Sequence, residues 1–160
     1  MLNRKHHILV AGLVIIIALL SSSFFPSDIN NDKQQDAFSV YPCKSLVTGC
    51  KASVGNRNLE IRFPDNIVFL KKFPIEIRFP EKNTNLLDHV IVDFQMAGMN
   101  MGVNKYRLQQ SEKNKSLWIG EGVIPVCTTG RTDWQAIVSL KRGDDVQRVA
   151  FQFEVIPETQ

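Results

Sequence analysis

From Cys50 onward, apolar and polar side chains alternate with a period of two. Leu59, Ile61 and Phe63 are separated by Glu60 and Arg62; Phe73, Ile75, Ile77 and Phe79 are separated by Pro74, Glu76 and Arg78. Val90, Val92, Phe94 and Met96 share a third face, with Ile91, Asp93 and Gln95 opposite. Tyr106 and Leu108 mark a shorter run, and Leu117 to Val126 a longer one. Trp134, Ala136, Val138 and Leu140 then fall in phase, as do Val149, Phe151, Phe153 and Val155. Successive side chains of a strand point to opposite faces, so each run predicts a half-buried strand. Turn segments such as 112–115 and 142–145 separate them, and no window after Phe25 carries a helical period. The pattern predicts an all-β, seven-stranded antiparallel immunoglobulin-like sandwich. Pro64, Pro74 and Pro80 bracket the first two strands, as suits a residue that cannot donate to a ladder. Trp134 lies in line with core positions. Trp118 shares its face with Gly120 and Gly122, whose missing side chains leave room for an indole or a neighbouring chain.

The N-terminus has a different texture. A basic head containing Arg4 and Lys5 precedes a charge-free run of 18 residues from Ile8 to Phe25. At 1.5 Å per residue that run just crosses a hydrocarbon layer of about 30 Å. Positive charge ahead of it keeps the N-terminus cytoplasmic and predicts a single span with the remainder translocated. A cleaved signal peptide with Ser21 and Ser23 at the cleavage site is the alternative. Both readings put the domain outside the cytoplasm, and the first makes it a periplasmic domain on the inner membrane. Residues 1–25 are thus expected as a signal anchor, 26–49 as a polar tether and 50–160 as the exported domain.

Charge and cysteine content narrow the classes. The 19 basic and 16 acidic residues give +3, but with Arg4 and Lys5 set aside the rest is 17 against 16. No basic cluster of the kind that neutralises phosphates remains, so nucleic-acid binding is not expected. Three cysteines in an oxidising compartment predict one pair and one thiol left over. Cys43 and Cys50 enclose a short segment with a glycine and are the first choice for a disulfide, with Cys50 to Cys127 as the rival pairing.

The candidate chemistry lies at Met96-Ala97-Gly98-Met99-Asn100-Met101-Gly102, which holds every methionine but Met1. Thioethers and thiolates are soft ligands that favour Cu(I). Met99 and Met101 are two apart, which puts both on one side of an extended segment. Met96 is in phase with Val92 and Phe94, so core packing competes with a ligand role. Strand parity brings Cys127 to the same end as the methionine loop, and makes it the nearest fourth sulfur, with disulfide and inert thiol as competing fates. That end should face away from the membrane, because the tether enters opposite. His89 starts the third strand about 20 Å from Met96, at ~3.3 Å per residue, and is read as a strand-end histidine. No nucleophile has a recognisable context around it, there is no Cys-x-x-Cys and no glycine-rich phosphate loop, so an enzyme is not expected. Arg131 and Asp133 suggest an ion pair at a turn.

Several of these stretches occur together in a known group. In order they are 74–77, Val90 to Met96, the methionine segment to Gly102, Leu108, Trp118 to Gly122, Ile124-Pro125, Gly130 to Trp134 and Phe151 to Val155. The chain resembles the FixH/YtkA-like family of membrane-anchored or exported β-sandwich proteins over roughly residues 70–156. The resemblance implies copper handling, in the context of haem-copper oxidase assembly, with a copper chaperone or assembly factor as partner. The segment 43–50 and Cys127 are not features of that group as a whole. A non-metal module that uses the methionine tip to contact a membrane partner is the second reading.

Overall fold

A computed structural model of the chain describes residues 38–80, 87–99 and 101–155. The expected anchor and the first part of the tether lie outside the described residues. A compact unit begins at Phe38. It is all-β, with nine strands and no helix among the described residues: β1 Ser39–Pro42, β2 Cys50–Val54, β3 Arg57–Arg62, β4 Lys72–Arg78, β5 His89–Gln95, β6 Lys105–Gln110, β7 Leu117–Val123, β8 Asp133–Arg142 and β9 Asp145–Glu154.

The strands form one mixed sheet in the order β1-β9-β8-β5-β6-β7-β4-β3-β2. β6 is where it folds over. Its first residues pair with β5, from Asp93 opposite Lys105 to Val90 opposite Leu108, while Gln109 and Gln110 pair with β7. The far end, β2, comes round against β9 and β1, so the sheet nearly closes on itself. Seven of the strands match the seven alternating runs. Two more, β1 and β2, correct the expected count, and the parallel pairing of β1 on β9 means the sheet is not purely antiparallel. Both escaped the pattern for physical reasons. β2 alternates buried and exposed, but its inward residues include the small Cys50 and Ala52. β1 is a short, largely exposed edge inside the stretch expected as tether, and it has no buried position.

Phenyl rings join the two layers. Phe94 of β5 meets Phe63 and Phe73 from the other layer, and Phe153 of β9 meets Phe63, with ring centroids 5.5 to 5.7 Å apart. Such pairs contribute about 0.5–1.5 kcal/mol each beyond the area they bury. The glycines of β7 make this packing possible. A Cβ on Gly122 would sit 2.7 Å from Phe94 Cε2 and 2.8 Å from Ile75 Cδ1, and one on Gly120 would sit 2.5 Å from Leu108 Cδ2. The room beside Trp118 is taken up by these neighbours, while Trp118 and Trp134 both lie in the core.

Pairing directions gather the same chain ends together. β5 ends where β6 begins, and β7 ends there too, since Lys72 at the start of β4 faces Val123. β1 and β9 also run toward this end. The loops 96–104 and 124–132, the segment 63–71 and the corner 43–49 therefore share one end of the domain. Gly122→Ala is expected to destabilise the domain by about 1–3 kcal/mol through overpacking. Urea unfolding, with exposed Lys113→Ala as a near-neutral control, measures it.

Candidate functional site at the methionine end

The methionine loop starts with a tight reversal. The Met99 N–H donates to the Met96 carbonyl at 3.1 Å, and the two residues form an isolated antiparallel bridge. Gly98, at φ +73°, takes the left-handed third position that such a turn gives to glycine. The reversal divides the methionines. Met96 is 2% exposed and belongs to the core, whereas Met99 and Met101 are half-buried and pack against its edge.

Two polar side chains hold the rest of the loop. Gln95 accepts the Met101 N–H through Oε1 at 3.1 Å and donates through Nε2 to the Gly102 carbonyl at 3.1 Å and to Asp93 Oδ1 at 2.8 Å. Asn104 is the one buried polar residue among the described residues. Its Nδ2 donates to the Phe94 carbonyl at 3.1 Å, and the Phe94 N–H donates back to the Asn104 carbonyl at 3.1 Å. The Tyr106 hydroxyl donates to Asn104 Oδ1 at 2.7 Å and lies 3.0 Å from the Val123 carbonyl. A buried amide is costly unless its bonds are made, and here they are. The exit of the methionine loop is thereby fastened to the strand that leads into it.

Cys127 follows β7 on the neighbouring loop, where the Gly130 N–H donates to its carbonyl at 3.3 Å. It is the free cysteine and is half-buried, with its Sγ 3.0 Å from Thr129 Oγ1. The Thr129 side chain first, then a backbone bond from Thr129, hold the thiol below its ordinary range against a smaller opposing effect of desolvation; Arg131 adds to the lowering. Arg131 grips Asp133 in a fork, Nε to Oδ1 at 2.8 Å and Nη2 to Oδ2, and this hydrogen bond is the first cause of the lowered Asp133 carboxyl. Its remaining arm, Nη1, donates to the Ala97 carbonyl at 3.1 Å. One guanidinium thus ties the Cys127 loop to the methionine turn.

The other singled-out residues fall as follows. Cys43 and Cys50 are joined by a disulfide with Cα atoms 5.5 Å apart, at this same end; the Cys43 N–H donates to the Gln152 carbonyl at 2.8 Å. His89 opens β5 at the opposite end. The described residues bring together no group of three or more His, Cys, Asp or Glu side chains suited to a metal ion, so a metal reading rests on the thioethers with Cys127. Gln95, Asn104 and Thr129 carry no motif and were not singled out. The only signal for them is polarity next to a glycine-bearing loop. The sequence marks Arg131 as an ion-pair partner of Asp133 alone, and its bond across to Ala97 has no signal there. No protein-family model, curated protein or solved structure matches the chain.

Thr129→Val is expected to move the Cys127 thiol back up toward its ordinary range. The pH profile of iodoacetamide alkylation then shifts to higher pH, and alkylation at neutral pH slows. Arg131→Gln should release the turn, seen as faster hydrogen exchange of the Met99 amide, with β8 amides unchanged.

Proposed function

We propose that this chain is a membrane-anchored extracytoplasmic accessory protein, a binder and not an enzyme. In this reading an immunoglobulin-like domain faces the periplasm from a single inner-membrane span and holds Cu(I) transiently. Met99 and Met101 supply thioethers and Cys127 a thiolate, while Met96 packs beneath them. A soft monovalent ion suits that donor set, and the lowering of the thiol favours the deprotonated form that metal binding needs. The ion is cargo, passed on to a copper chaperone or oxidase assembly factor. The observation that carries the reading is the Arg131 bond to the Ala97 carbonyl, which couples the two sulfur-bearing loops. Half-burial also suits ligands that must stay reachable by a partner.

A second reading uses the same end without metal. Among the described residues seven large apolar side chains are exposed, and Val47, Leu70, Val103 and Val126 all lie on loops of the methionine end. Grouped exposed apolar side chains mark contact surfaces, and methionine adapts to varied partners. Here the methionine tip docks a membrane protein directly.

Titration with Cu(I) under reducing conditions separates the two. The copper reading expects one ion per chain, with affinity falling at least about tenfold, or about 1.4 kcal/mol, in Met99→Leu/Met101→Leu. Unchanged affinity sinks it. Partner cross-linking that needs Val103 and Met101 but ignores a copper chelator favours the second reading.

A further inference from the structure

Away from the methionine end, the outer face of β2, β3 and β4 carries a cavity of about 320 Å³. That is at the small end of the range for small-molecule sites, about 300–1,000 Å³. Tyr41 lines it from β1, Pro80 adds apolar surface, Lys51 and Arg78 are its cations, and the Glu60 carboxylate also lies in its wall. It opens where the sheet fails to close. β1 and β2 are the two ends of the strand order and share no ladder; the Tyr41 hydroxyl reaches the Ser53 carbonyl at 3.4 Å instead.

The charges of this cavity are arranged unevenly. Register sets Glu60 between Lys51 on one side and Arg78 on the other. A carboxylate there would ordinarily neutralise both. Glu60 is instead taken up by Arg62, two residues on along its own strand, through an ion pair and a hydrogen bond to Oε1. Gly49, at φ +91°, lies over that pair: a Cβ on it would come within 2.5 Å of Glu60 Oε1 and 3.0 Å of Arg62 Nε, so a side chain there would have to displace them. Lys51 and Arg78 are both exposed and form no ion pair among the described residues. The result is a cleft with an aromatic wall and two cations that form no ion pair among the described residues, flanking a carboxylate turned toward Arg62.

The geometry points to this cavity as a binding site for an amphipathic organic anion, with its apolar body against Tyr41 and Pro80 and its acidic group reached by Lys51 and Arg78 from either side of the Glu60–Arg62 pair. An acid held by ammonium and guanidinium donors makes charge-assisted hydrogen bonds, stronger than neutral ones. A neutral molecule of the same shape gains only the apolar contact and leaves both cations without a counter-charge. The acidic group is a carboxylate, sulfonate or phosphate, free or as the headgroup of an anionic lipid. The site is independent of copper and of the methionine end.

Photolabelling of the full chain with 4-benzoylbenzoate tests it, with 4-benzoylbenzamide as the neutral counterpart and labelled peptides located by mass spectrometry. Saturable labelling around Tyr41 and residues 51–60 is expected, at least about fivefold stronger for the acid. Lys51→Gln/Arg78→Gln should abolish that preference without lowering the melting temperature, and Lys71→Gln/Lys105→Gln at the opposite end should keep it. Displacement by free decanoate identifies a free anion. Displacement by phosphatidylglycerol nanodiscs, and not by phosphatidylcholine ones, identifies a lipid headgroup. Equal labelling by acid and amide, labelling spread over the surface, or a preference that survives Lys51→Gln/Arg78→Gln overturns the proposal.

Discussion

Phe94 is the residue on which the remainder depends. Its ring touches Phe63, Phe73, Phe153 and Tyr106, and so belongs to both layers at once. Its ring edge occupies the space that Gly122 leaves open, and its backbone exchanges hydrogen bonds with Asn104 on either side. The methionine reversal begins two residues later. A shift of this ring would therefore reach the loop through a very short lever. Close-packed interiors transmit displacement instead of absorbing it. The loop that carries Met99 and Met101 thus starts from a buried, close-packed phenyl group.

The legible part of the fold was the part built from large aliphatics and aromatics in strict alternation. Val90, Val92 and Phe94 announce β5, and Trp134 to Leu140 announce β8. Strand direction followed from counting, and it put Cys127 at the end where Met96 turns. β1 was not legible, because an exposed edge strand has no face to bury and so no alternation to display. β2 was faint because Ala52 and Cys50 are poor markers of an inner face. At the site, the phase of Met96 with Val92 and Phe94 already drew it toward the core and apart from Met99 and Met101. Gly98 separates them, since its left-handed backbone turns the chain between Met96 and Met99. The tie from Arg131 to Ala97 was out of reach. It joins a side chain to a backbone carbonyl 34 positions away, and no residue pattern records such a bond.

The two ends of the molecule use polarity in opposite ways. At the methionine end Gln95, Asn104, Thr129 and Arg131 are all spent on bonds to neighbours, and Val47, Leu70, Val103 and Val126 are exposed beside them. On the outer face of β2 to β4 the reverse holds. There the backbone is held by the ladder, and Lys51 and Arg78 are left over while Glu60 is diverted to Arg62. A surface whose polar groups are all committed recognises by shape and softness, and one with spare cations recognises by charge.

The parallel seat of β1 on β9 bears on how the chain reaches this state. Ser39 meets Val149, so the first of the described strands waits for the last of them, and β9 presents an open edge until that moment. Pairings so distant in sequence form slowly, because a long loop must close before any contact rewards it. Cys43 and Cys50, only seven positions apart, can join long before then and bend the segment between β1 and β2 in advance. β1 can take its place on the sheet only once β9, far along the chain, is there to receive it.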